Sequence, residues 1–120
     1  MTQNDIPYLH HIVDAIARIE EYLQGVAEDD FHQQYLIQDG VIRQIEIIGE
    51  ATKQISKDLQ DRYPQIPWQD IAGMRDKLIH HYFGVNMEEV WLTAREDIPV
   101  LKLQAEKILA EFVEGDTEEK

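Results

Sequence analysis

The chain has 120 residues, 43% hydrophobic and 29% charged, and its 24 acidic against 11 basic side chains leave a formal net charge of -13. That length fits one domain with one core, and leaves no room for a second domain or a deep multi-part cleft. The absence of cysteine excludes disulfides, thiolate metal sites and a cysteine nucleophile, while the acidic balance excludes a broad phosphate-coating surface. Any contact with RNA must therefore be local.

The opening stretch MTQNDIPYLHHIVDAI lacks the basic start and unbroken apolar run of a signal peptide or membrane span, so a cytoplasmic protein with no membrane association is expected. Glycine and proline are sparse, and apolar residues recur at three- and four-residue steps. That pattern predicts an all-α, up-and-down bundle of four to five helices. The first helix spans 5–26: Pro7 suits its first turn, Tyr8, Ile12, Ala15, Ile16, Ile19, Leu23 and Val26 form its apolar stripe, and it stops near Gly25. A long second helix starts near Phe31 and carries Tyr35, Val41, Ile45, Ile48, Thr52, Ile55 and Leu59 on one side. Gly40 and Gly49 each weaken it by about 1 kcal/mol relative to alanine, so it either bends or admits another backbone there.

The prolines of Arg62-Tyr-Pro-Gln-Ile-Pro67 predict a loop. A third helix is expected over 68–81, ended by Gly84, and a fourth opens at an Asn86/Glu89 capping box and runs through Val90, Trp91 and Ala94. Pro99 either kinks that helix or begins a fifth, with Val100, Leu101, Leu103, Ile108, Leu109 and Phe112. Residues 1–113 then make a single helical domain, and the acidic 114–120 a disordered tail.

The densest polar cluster is RDKLIHHY at 75–82. Histidine moves protons near neutrality and arginine holds phosphate through a fixed fork of donors, the two capacities that phosphodiester cleavage needs. On one straight helix Arg75 and His80 lie about 140° apart. A site using both therefore requires a distorted helix end or a second copy of the chain. The plainer alternative puts Leu78 and Ile79 in the core, Arg75 and Lys77 in solvent, and the histidines at a helix C-terminus, where positive charge is favoured. Adjacent His80 and His81 point apart and no Glu-x-x-His accompanies them, so no metal site and no cofactor are expected. His10, His11 and His32 are assigned to the surface.

Asp39, Arg43, Glu46 and Glu50 fall within about 60° on the helical wheel, opposite Ile45, Ile48 and Thr52 and flanked by exposed Ile42 and Ile47. This stripe is either a solvated face with internal ion pairs or a polar seam between two copies. Trp68 and Trp91 are expected to be core anchors, Trp91 having Glu88, Glu89 and Glu96 nearby and no basic neighbour suited to base stacking.

Arg75, His80 and Tyr82 fit the Arg-x4-His-x-Tyr signature, and with it the chain resembles HepT-like toxins of the HEPN (higher eukaryote and prokaryote nucleotide-binding) superfamily. The resemblance extends to IPYLHHIVDAIARIEEYL at 6–23, VIRQIEIIGEA at 41–51, YPQIPW at 63–68, IAGMR at 71–75, VWLT at 90–93 and IPVL at 98–101. It implies the HEPN helical fold and a homodimeric, metal-independent ribonuclease acting on RNA at a dimer cleft, with Arg75 and His80 as catalytic residues. Asp76 stands where the family favours Asn or Asp and would orient His80 from one turn away, while Arg43, Glu46 and Glu50 are placed at or beside the cleft. The resemblance further implies the toxin of a toxin–antitoxin pair, whose cognate minimal nucleotidyltransferase antitoxin attaches AMP to Tyr82. The alternative from another class is a non-catalytic helical adaptor or nucleotide-binding module that docks a nucleotidyltransferase.

Overall fold

The structure is a computed structural model that describes the backbone at 3–74, 76 and 86–118, with side chains at 4–74, 76 and 86–112. Its regular elements are all helical. A 3₁₀ turn, Gln3–Asp5, leads into α1 (Ile6–Leu23), followed by α2 (Glu28–Gln33), α3 (Tyr35–Lys53), α4 (Lys57–Arg62) and α5 (Trp68–Ala72). Beyond the motif come α6 (Met87–Leu92), a π-helical turn (Thr93–Asp97) and α7 (Ile98–Glu118). α1 packs along α3 and α7, α5 packs on α3, and α2 bridges α3 and α6.

In α1, Pro7 lies in the first turn and Leu9, Ile12, Ala15, Ile16, Ile19 and Leu23 are buried at the expected three- and four-residue steps. Each large side chain among them contributes about 1.5–3 kcal/mol by leaving water. The helix stops as predicted: Gln24 is extended and Gly25 takes φ 72°, the left-handed region that glycine enters without a Cβ clash.

The predicted long second helix is three helices. Gln34 is extended (φ -110°, ψ 93°), and the Phe31 carbonyl near the end of α2 accepts both the Gln34 N–H at 3.3 Å and the buried Gln38 side chain's Nε2 at 2.9 Å. The second break lies at Ser56 (φ -64°, ψ 152°). Its hydroxyl accepts the Leu59 N–H at 3.2 Å and donates to Asp5 Oδ2 at 2.6 Å, while Asp5 Oδ1 accepts the Ser56 N–H at 2.8 Å. A side-chain cap and a carboxylate from the N-terminal turn thus make the break more stable than continuing the helix. Tyr35, expected in the stripe, is instead the first residue of α3 and is 76% exposed; Val41, Ile45, Ile48, Thr52, Ile55 and Leu59 are buried as expected.

The two glycines of α3 are explained differently. A Cβ on Gly49 would lie 3.2 Å from the Ala72 carbonyl oxygen and 3.6 Å from that of Ile71, so the end of α5 rests on α3 there. A Cβ on Gly40 would meet only the Tyr22 ring, at 3.1 Å. Downstream, the loop before α5 is tied by Trp68, which is buried and donates from Nε1 to the Tyr63 carbonyl at 3.0 Å. The expected third helix is interrupted by a turn at Gly73, with helical backbone again at Met74 and Asp76; its remainder and the Gly84 stop lie outside the described residues.

Asn86 caps α6 by accepting the Glu89 N–H at 3.3 Å, as its spacing predicts. Pro99 is accommodated without a chain break: the π-helical turn precedes it and α7 begins at Ile98, which keeps helical dihedrals (φ -63°, ψ -43°). A proline has no N–H for the preceding turn, and a wider turn absorbs that loss. α7 then continues to Glu118.

Trp91 is half-buried and does have a basic neighbour, one helical turn on. The Arg95 guanidinium sits 4.5 Å above its ring centroid and donates from Nη2 to the Val26 carbonyl at 2.7 Å; Phe31 packs on the ring at 5.3 Å. This arrangement joins the end of α1 to the π-turn.

Candidate functional site

Arg75, His80 and Tyr82 lie outside the described residues, and the structure fixes what leads into and out of them. α5 enters from its seat on Gly49 of α3, Gly73 turns the chain, and Asp76 is exposed on helical backbone. The chain is picked up again at the Asn86 cap of α6. In sequence the motif lies between α5, which ends at Ala72, and α6, which Asn86 caps.

The α3 stripe lies close to that entry. Arg43 Nη1 approaches Glu46 Oε2 at 3.7 Å, and Lys53 Nζ approaches Glu50 Oε1 at 3.4 Å, so the stripe carries the internal ion pairs that helical spacing allows. Glu46, one turn before Gly49, keeps only 24% of its side chain in water, whereas Asp39 is exposed. Ile42 and Ile47 are half-buried against the core rather than exposed flanks.

Arg43 and Glu50, two turns apart, line a shallow groove of about 260 Å³ with Tyr8, His11, Ile47 and Gln54. His11 meets Tyr8 edge-on at 6.1 Å between ring centroids. Tyr8 was expected in the apolar stripe and His11 as an isolated surface residue. Their separation of three residues, which stacks side chains along one face of a helix, was the available signal. His32 likewise has a partner one turn back, Glu28 Oε1 at 4.0 Å. The groove thus gathers an arginine, a histidine, a tyrosine and two amide or carboxylate side chains, a set able to contact phosphate and base but with no obvious nucleophile. Among the described residues no cluster of three His, Asp or Glu side chains could hold a metal ion, and no helix is long and apolar enough to cross a membrane.

Every regular element among the described residues is helical, which is the fold class of HEPN domains. Residues 12–108 match the family model described as ribonuclease HepT-like, and the chain belongs to that family. It is 46% identical over 108 residues to a protein named probable ribonuclease HepT from Thermococcus cleftensis, covering 90% of this chain and 98% of that one. It is 42% identical over 103 residues to a protein named putative RNase from Caldanaerobacter subterraneus subsp. tengcongensis, covering 86% and 92%. A Methanocaldococcus jannaschii protein named gamma-glutamylcyclotransferase and putative RNase is 47% identical over 105 residues, 88% of this chain; the match spans only 47% of that longer protein. No solved structure matches the chain.

Proposed function

We propose that the chain is a cytoplasmic, metal-independent endoribonuclease that works as a homodimer. It is the toxin of a toxin–antitoxin pair, silenced when a cognate minimal nucleotidyltransferase attaches AMP to Tyr82. The observation that carries this reading is the Arg75, His80, Tyr82 signature inside the matched region 12–108.

In the chemistry proposed, the RNA 2'-hydroxyl attacks the adjacent phosphorus and the bond to the 5'-oxygen breaks, leaving a 2',3'-cyclic phosphate and a free 5'-hydroxyl. His80 takes the 2'-hydroxyl proton, the leaving 5'-oxygen gains one, and Arg75 stabilises the charge that builds on the phosphoryl oxygens. The 140° or so between Arg75 and His80 on a straight helix is resolved if the two come from facing copies. Asp76 orients His80. Arg43, Glu46 and Glu50 border the cleft, Arg43 as a phosphate contact. An AMP on Tyr82 adds bulk and negative charge where RNA phosphate must bind, which is sufficient to inhibit.

The test is RNA cleavage in EDTA by the chain purified with and without its neighbouring gene, alongside the intact mass of both forms. The reading expects mass increments of AMP mapped to Tyr82 and cleavage by the unmodified form alone, with His80→Ala losing about 10²–10⁴ in rate while still folded. A well-folded protein with no added mass and no cleavage would leave the adaptor reading standing.

A further inference from the structure

A second concavity, bounded by α5, α6, the π-turn and the start of α7, combines an apolar floor with an acidic rim. Ile71, Met74, Leu92, Val100 and Leu101 form the floor of a cleft of about 490 Å³. Leu92 and Val100 keep 42% and 54% of their surface in water. Asp70, Glu89, Glu96 and Asp97 form the rim, all exposed. None of these carboxylates pairs with a basic side chain among the described residues, whereas Glu20, Glu28, Glu46 and Glu50 pair with Lys102, His32, Arg43 and Lys53.

We propose that this cleft docks a basic amphipathic helical segment of a protein partner, apolar side chains on the floor and Lys or Arg against the rim. Charge selects the occupant. Phosphate backbones and anionic lipid surfaces are disfavoured by four exposed carboxylates that pair with no basic side chain among the described residues. Two copies meeting rim to rim would set the same four carboxylates against each other, so an isologous contact through this rim is opposed as well. What remains favourable is a segment that covers exposed leucine and valine while supplying cations, the helix-in-groove mode of recognition with a charged border. Met74 on the floor immediately precedes Arg75 in sequence, so a partner seated here meets the chain where the motif begins. The inference holds whether or not the chain cuts RNA.

The experiment uses the full chain and a synthetic amphipathic helix of about 18 residues, some five turns, built from Leu, Ala and Lys. A peptide of the same composition in scrambled order is the control, and affinities are measured by calorimetry at about 0.15 M salt, where distant surface charge is screened. The patterned peptide should bind one to one, at least about tenfold more tightly than the scrambled one. Val100→Gln, charge-neutral at an exposed position, and Glu96→Gln/Asp97→Gln should each weaken it about tenfold. Asp14→Asn/Asp58→Asn, which removes as much charge away from the cleft, should leave affinity unchanged.

Equal weakening by the Asp14/Asp58 pair would overturn the proposal in favour of a diffuse acidic field. Failure of the folded protein to bind the patterned peptide, or indifference to Val100→Gln, would overturn it too. So would a drop in oligomer mass with Val100→Gln, which would make the cleft an interface between copies, or a Val100-dependent affinity for oligouridine, which would make it an RNA site.

Discussion

The α1–α3 pair and the α5–α6 region are built on opposite terms. α1 and α3 run 18 and 19 residues, and their contact buries Ile12, Ile16, Ile19, Ile45 and Ile48 to 1% exposure or less. α5 and α6 run 5 and 6 residues, and the cleft beside them exposes leucine and valine under unpaired carboxylates. Helices so short are not stable alone and are held by caps and by packing on a neighbour. The long pair thus provides the scaffold, and α5 and α6 join it through buried Trp68, Ile71 and Val90 and through the Gly49 contact, the Trp68–Tyr63 bond and the Arg95 bridge. Local openings of lower free energy are expected in α5 and α6 than in α1 and α3.

The largest break in this contrast is in the scaffold. Ile45 is fully buried, and Ile45→Ala should cost about 2–5 kcal/mol from lost transfer energy and the cavity left behind. Urea unfolding would register it as a lower midpoint with little change in slope. A cost under about 1 kcal/mol would mean that the α1–α3 contact is not where stability resides. Next comes Ser56→Ala, which removes the Leu59 cap and the hydroxyl's hydrogen bond to buried Asp5, leaving that of the Ser56 N–H. The expected loss is about 1–2 kcal/mol, with cleavage per folded molecule unchanged, since Ser56 and Asp5 belong to neither the motif nor the α3 stripe.

The joint between the two regions is tested by Arg95→Ala. This removes a cation over Trp91 and a donor to the Val26 carbonyl, worth about 1–2 kcal/mol together. Hydrogen exchange should show the loss concentrated in α6 and the π-turn. Uniform loss across α1 and α3 would instead make the molecule one cooperative unit.

The part of this architecture legible in the sequence is the part governed by periodicity. The buried face of α1, its stop at Gly25, the core positions of α3 and the Asn86 cap follow from spacing and from turn residues with local effects. What was not legible depends on pairs distant in sequence. Nothing near Ser56 announces that Asp5, 51 residues away, will accept from both its N–H and its hydroxyl, and without that bond an unbroken helix through Ile55 is the better local choice. The Arg95 contact with Val26 spans 69 residues and is equally silent. Tyr35 misled because an apolar residue in phase with a stripe is counted as core until the helix is known to start there. Of the candidate site, the ion-paired stripe was visible as a helical repeat. The groove that joins Arg43 to His11 and Tyr8 needed the packing of α1 on α3.

The smallest expected change in stability comes from Gly49→Ala, and it separates the two regions most sharply. Alanine is favoured over glycine inside a helix by about 1 kcal/mol, which stabilises α3. Its Cβ, however, would stand 3.2 Å from the Ala72 carbonyl oxygen, a backbone atom that can yield only if α5 moves off by a few tenths of an ångström. The two effects nearly offset, so the unfolding midpoint should move by less than about 1 kcal/mol in either direction. Cleavage should nevertheless fall about tenfold, because α5 leads directly into the motif and displacements of this order at a reacting centre cost rate steeply. A stabilised Gly49→Ala protein with full activity would mean that α5 is free to shift without disturbing the site. A destabilised one with proportionate loss of activity would mean that the seat of α5 is part of the core itself.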